Sequence, residues 1–223
     1  MDPKKTVMVA LILILGAALF VAAKYWADQR NQPQPARMVL TQAGWKHRMV
    51  EAVAALKAEG KDLENYLALV LSTGGPVIIE LMPDKAPNHV ARFKVLAREG
   101  FYDSIVFHRV IEGFMAQTGD PTGTGSGGSG VSIDAEFNDV AHLRGVVSTA
   151  RADDPNSADS QFFIMLDTAA HLDGQYTAWG RVIAGMEFVD ALARAERSAG
   201  GVVPEDLRGH IVSMQVAADV KLP

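Results

Sequence analysis

The chain has 223 residues, a formal net charge of -5 and no cysteine. That length holds one domain with an appendage, or one large domain, and the charge offers no basic surplus for a nucleic-acid partner. The missing cysteines exclude disulfides, thiolate catalysis and Cys-based zinc sites.

Met1–Lys5 reads MDPKK, and an uncharged apolar run follows from Val7 to Ala23. The run is longer than most signal-peptide cores and just long enough to span a bilayer. Lys4 and Lys5 suit a cytoplasmic start, and Tyr25 and Trp26 suit the membrane interface beyond the run. Val21-Ala22-Ala23 resembles a small-residue cleavage site. Residues 1–26 are therefore expected to be a signal-anchor, with a cleaved signal peptide as the alternative and a buried core helix as the bland reading. The first reading puts the protein in the cell inner membrane by a single N-terminal hydrophobic helix, with its domain in the periplasm. The second makes it a soluble periplasmic protein.

Residues 27–63 begin with a polar, Pro-rich linker, NQPQPA at Asn31–Ala36. Trp45, Met49, Val53 and Leu56 then recur at helical spacing, and Gly60 is a plausible stop. The polar face of this short amphipathic helix is not strongly basic, so it is expected to pack on the domain and not to lie on a membrane.

Residues 64–223 read as short strands with two helices. YLALVLSTGGPVIIEL predicts a hairpin around Thr73-Gly74-Gly75. APNHVARFKVLAREGFY predicts a helix with Pro87 in its first turn and Gly100 as its end. Further strands are expected over Ile105–Val110, Phe114–Gln117, Gly145–Thr149, Phe162–Leu166, Ala178–Val182 and Ile211–Ala217, and a second helix over Met186–Ser198. Many short strands with two helices point to a barrel with covered openings. GTGSGGSG at Gly123–Gly130 lacks the Lys-Ser/Thr ending of a phosphate-binding loop, so a sharply turning backbone is its expected role. The six histidines show no HxxxH spacing for a metal, and no G-x-S-x-G marks a hydrolase nucleophile.

One stretch stands apart. FHRVIEGFMAQTGDPTGTGSGG, from Phe107, sets an arginine among apolar side chains. With NSADSQFFIML at Asn156–Leu166, HLDGQYTAWGRV at His171–Val182 and GMEFV at Gly185–Val189, it resembles the cyclophilin family of peptidyl-prolyl cis-trans isomerases, in its short bacterial branch. The resemblance covers roughly Glu64–Val220 and implies a mainly β fold, a closed eight-stranded antiparallel barrel capped by two α-helices. It implies that Arg109 is catalytic, with Gln117 steadying it. It places Phe114, Met115, Phe163 and Leu172 around a substrate proline ring, and Gln161 with Gln117 on the substrate backbone. Ala150, Arg151 and Ala152 fall on the strand that pairs with the bound peptide.

His171 stands where animal members carry a tryptophan, and Tyr176 where they carry a histidine. The tryptophan is the family's handle for cyclosporin, so weak cyclosporin binding is expected. The implied partners are Pro-containing polypeptide clients, among them exported proteins in the course of folding, met by a monomer that needs no cofactor and no metal. A non-catalytic scaffold or chaperone that grips Pro-containing segments is the alternative. A membrane-tethered assembly factor using the Trp45–Leu56 helix is compatible with either.

Overall fold

The structure, a computed structural model, describes residues 42–195, 198 and 200–223. The apolar run Val7–Ala23 and the linker Asn31–Ala36 lie outside these residues. Among the described residues no helix is long and apolar enough to cross a membrane.

Helix α1 runs from Gln42 to Ala58 and is followed by the hairpin β1, Tyr66–Leu71, and β2, Pro76–Leu81. All of β1 is buried, and the two-residue period of a strand explains how. Leu67, Leu69 and Leu71 enter the main core, while Tyr66, Ala68 and Val70 meet Met49, Val53 and Leu56 of α1. A strand covered on both faces reads as a continuous apolar run, and α1 is the element that covers the second face.

Helix α2, Pro87–Arg98, starts at the expected proline and carries Val90, Phe93, Leu96 and Ala97 on its buried face. Phe93 stacks on Trp179 with ring centroids 4.1 Å apart and meets the edge of Phe162 at 5.7 Å. Strands β3 (Arg109–Ile111), β4 (Met115–Thr118), β5 (Val146–Thr149), β6 (Phe162–Met165), β7 (Ala178–Ala184) and β8 (Ile211–Val216) complete one antiparallel sheet. Its order is β3-β4-β6-β5-β7-β2-β1-β8.

Two expectations need correction. The barrel is not closed: β3 and β8 are the two edges of the sheet, and only an isolated bridge, Val106 to His210, joins the segments leading into them. The strand expected over Ile105–Val110 therefore divides, with Ile105–Phe107 bonded to Gly209–Ile211 and only Arg109–Ile111 joining β4. The second capping helix is also short. Helix α3 spans Met186–Asp190, because the chain beyond it turns toward the sheet and the Ala195 N–H donates to the Val110 carbonyl at 3.0 Å. Pairing with a sheet edge outweighs local helix preference there.

The sheet has two useful faces. Val110, Ala116, Phe162 and Ile164 point into the main core, whereas Ile111, Met115, Phe163 and Met165 alternate to the outside and form a second apolar cluster with Leu172 and Ala178. That outer cluster is the floor of the site.

Candidate active site

Strand register brings the chemistry together. Arg109 lies opposite Gln117 across β3 and β4, and Gln117 lies opposite Phe163 across β4 and β6. All three side chains therefore emerge on the outer face in one transverse row. Over this row opens a cavity of about 370 Å³, lined by Arg109, Phe114, Met115, Gln117, Ala150, Arg151, Phe163, His171, Leu172, Gln175 and Tyr176.

Polar groups run along one side of the cavity as a single chain. The Arg109 Nη1 donates to Gln117 Oε1 at 3.2 Å, and its Nε donates to the Gly200 carbonyl at 2.8 Å. Gln117 Nε2 donates to Gln161 Oε1 at 2.9 Å, and Gln161 Nε2 donates to the carbonyls of Gly125 and Gly127. Burial lowers the Arg109 pKa from its ordinary value, which still leaves the guanidinium charged.

Apolar rings form the opposite side. His171 stacks on Phe114 with centroids 5.7 Å apart, and Tyr176 meets Phe163 edge-on at 5.7 Å. Behind Phe163 lies a row that sequence reasoning missed. His142 stacks against the Phe163 ring at 6.3 Å, its Nδ1 lies 2.9 Å from Asp173 Oδ1, and its Nε2 lies 2.9 Å from Ser148 Oγ. A carboxylate only accepts, so a ring proton sits on Nδ1, facing Asp173. The order Ser–His–Asp is that of a hydrolase, but Ser148 is fully buried and no carbonyl can reach it. The row instead ties the loop carrying His171, Leu172 and Tyr176 to the sheet. Asp173 sits inside the LDGQYT motif, and His142 is six residues from Ser148. Neither spacing carries a periodic signal.

Of the residues anticipated from sequence, Arg109, Phe114, Met115, Gln117, Ala150, Arg151, Phe163, His171, Leu172 and Tyr176 line this cavity. Ala152 and Gln161 line a neighbouring hollow of about 440 Å³ bordered by the glycine-rich loop. Gln175 lines the first cavity and was not anticipated.

The glycine-rich loop is built around Asp120. Its carboxylate accepts from the Thr122 N–H and hydroxyl, both at 2.7 Å, and from the Gly125 N–H at 2.6 Å. A Cβ at Gly127 would come within 2.1 Å of Asp120 Oδ1, so the loop needs glycine there to wrap the carboxylate. Burial pushes the Asp120 carboxyl upward, but the Thr122 hydroxyl and the N–H groups of Thr122, Gly127 and Gly125 outweigh it and hold the pKa at about 2. A carboxyl depressed below its unfolded value of about 3.9 stabilises the fold in full above that pH and loses the contribution as pH falls toward 2. Asp120→Asn should therefore cost about 2 kcal/mol at pH 7, and the gap between variant and wild type should close between pH 5 and pH 2 in urea titrations. A gap independent of pH would show that the carboxylate charge does not organise the loop.

These features define a cleft for an apolar ring flanked by fixed hydrogen-bond donors, set on the outside of an antiparallel sheet. The family model described as cyclophilin type peptidyl-prolyl cis-trans isomerase/CLD matches residues 66–216. A probable peptidyl-prolyl cis-trans isomerase of Brucella suis biovar 1 (strain 1330) is 43% identical over 180 residues, which cover 75% of this chain and 90% of that protein. Peptidyl-prolyl cis-trans isomerase B of Bacillus subtilis (strain 168) is 43% identical over 129 residues, 57% of this chain and 90% of that protein. Among solved structures, a Cryptosporidium parvum cyclophilin type peptidyl-prolyl cis-trans isomerase, crystallised in the presence of the dipeptide Ala-Pro, is similar with a TM-score of 0.61 and 30% identity, covering 68% of this chain and 98% of that one. The chain belongs to the cyclophilin-type peptidyl-prolyl cis-trans isomerase family.

Proposed function

We propose that this chain accelerates rotation about X-Pro bonds, with Arg109 as the central group. The carrying observation is a guanidinium held beside an apolar cavity by Gln117 and by a backbone carbonyl. The planar amide is protected by a barrier of about 18–20 kcal/mol, and uncatalysed X-Pro exchange takes tens to hundreds of seconds. At the twisted transition state the prolyl nitrogen becomes pyramidal and amine-like, so a donor aimed at it lowers the barrier. Poor competition from water strengthens that donor. Phe114, Met115, Phe163 and Leu172 grip the ring, Gln117 steadies Arg109 and the substrate carbonyl, and Gln161 with Ala150–Ala152 guides the flanking backbone. No bond is made or broken, so the reaction requires neither nucleophile nor cofactor.

The Ala-Pro dipeptide of the Cryptosporidium parvum neighbour supports Pro-containing polypeptides as the substrates here. The apolar run Val7–Ala23 supports a domain organisation of signal-anchor (1–26), linker with helix (27–63) and isomerase domain (64–223), with the domain acting on exported proteins at the periplasmic face of the inner membrane. The test is the isomerisation rate of a short X-Pro peptide with and without the purified full chain. Strong acceleration is expected. No acceleration by a folded protein would leave a Pro-peptide binding scaffold in its place.

A further inference from the structure

The two arginines of the cleft make no ion pair, a trait shared among the described arginines with Arg48, Arg92 and Arg208, which bond to the Gly74 carbonyl, the Ser129 hydroxyl and the Val203 and Gly123 carbonyls. The protein carries a net charge of -5, and Arg98, Arg144, Arg181 and Arg194 each pair with a carboxylate. Arg109 and Arg151 do not: among the described residues their hydrogen bonds go to the neutral Gln117 side chain and to backbone carbonyls. No carboxylate lines the Arg109 cavity.

Arg151 is fixed without being neutralised. It donates to the Gln175, Ala152 and Asp153 carbonyls and lies over the Tyr176 ring at 4.9 Å. These four bonds leave one of the five guanidinium N–H groups unused. Nearby acids are occupied or turned to other work. Asp173 holds His142, Asp159 accepts from Ser129 and Gly130, and Asp154 accepts from the Asn156 N–H. Asp153 is exposed, where water screens it. Arg151 also borders both hollows, so a chain threaded from one to the other must pass it.

Resting on the isomerase reading, we infer that Arg151 makes the enzyme selective for prolines preceded, at one of the two adjacent positions, by an acidic side chain. A cation already ordered by backbone carbonyls and an aromatic ring meets a carboxylate at little further entropic cost.

The experiment uses the full chain and peptides carrying Glu, Gln or Lys at the first or second position before proline, at low and at high salt. At low salt kcat/KM for Glu should exceed that for Lys by about fivefold at one of the positions, and the ratio should fall below about twofold in 0.5 M salt. Arg151→Gln should collapse the ratio and Arg151→Lys should keep most of it, a dependence on charge that a merely structural role would not produce. Glu and Lys peptides within twofold of each other at both positions, or a ratio unchanged in Arg151→Gln, would overturn the inference. The Gln peptides report on the isomerase reading separately. If no peptide turns over, the Kd values of the Glu and Lys peptides decide the selectivity by the same criteria.

Discussion

Arg109→Ala is expected to lower kcat/KM for an X-Pro peptide about a hundredfold and to leave the sheet folded. Removing one preorganised donor from a developing charge typically costs about 100- to 1,000-fold. The guanidinium has no substitute, because Gln117 points its carbonyl oxygen at Arg109 and commits its amide to Gln161. The structural cost is small. Arg109 is only half-buried, and the strand pairing of Arg109 with Gln117 is a backbone matter that alanine preserves. Arg109→Lys should fall between the two, since it keeps the charge but loses the fork that bonds Gln117 and Gly200 together. Peptide isomerisation followed beside circular dichroism separates the effects. A folded alanine variant with more than half of wild-type activity would remove Arg109 from the mechanism.

Phe93→Ala should be the most damaging single change to stability, at about 3–5 kcal/mol. Phe93 is fully buried, and its ring is packed by Trp179, Phe162 and Tyr102 from three other parts of the chain. Truncation loses the transfer term of the ring and opens a cavity that large, rigid aromatics cannot collapse into. A control lies two residues along the same helix: Val95 is 44% exposed, and Val95→Ala should change stability by less than about 0.5 kcal/mol. Urea midpoints at constant slope measure both. A loss below about 1 kcal/mol for Phe93→Ala would mean that this aromatic cluster does not hold the helix on the sheet.

Local signals located the elements that local chemistry decides. The β1–β2 hairpin follows from its apolar runs and Gly74-Gly75, and α2 from Pro87 and Gly100. The failures have a common cause. The helix beyond Asp190 and the first half of the expected third strand are both settled by backbone pairing with segments distant in sequence. For the site, eight residues separate Arg109 from Gln117, a distance with no helical or strand meaning until a hairpin folds them face to face. The family likeness supplied that pairing, not periodicity. It supplied nothing about the His142–Asp173 support, which becomes visible only when the loop holding Leu172 lies over β5.

The uncovered edge of a sheet is an invitation to any extended chain, and Arg109 sits on such an edge. Here the invitation is withdrawn. Gly201 accepts from the Val110 N–H, Ala195 donates to the Val110 carbonyl, and Val203 donates to the His108 carbonyl, so β3 has few backbone groups left to offer. An extended chain cannot zip onto β3 as an extra strand. On the proposed function, the cleft and not this edge is then where a Pro-containing chain is held.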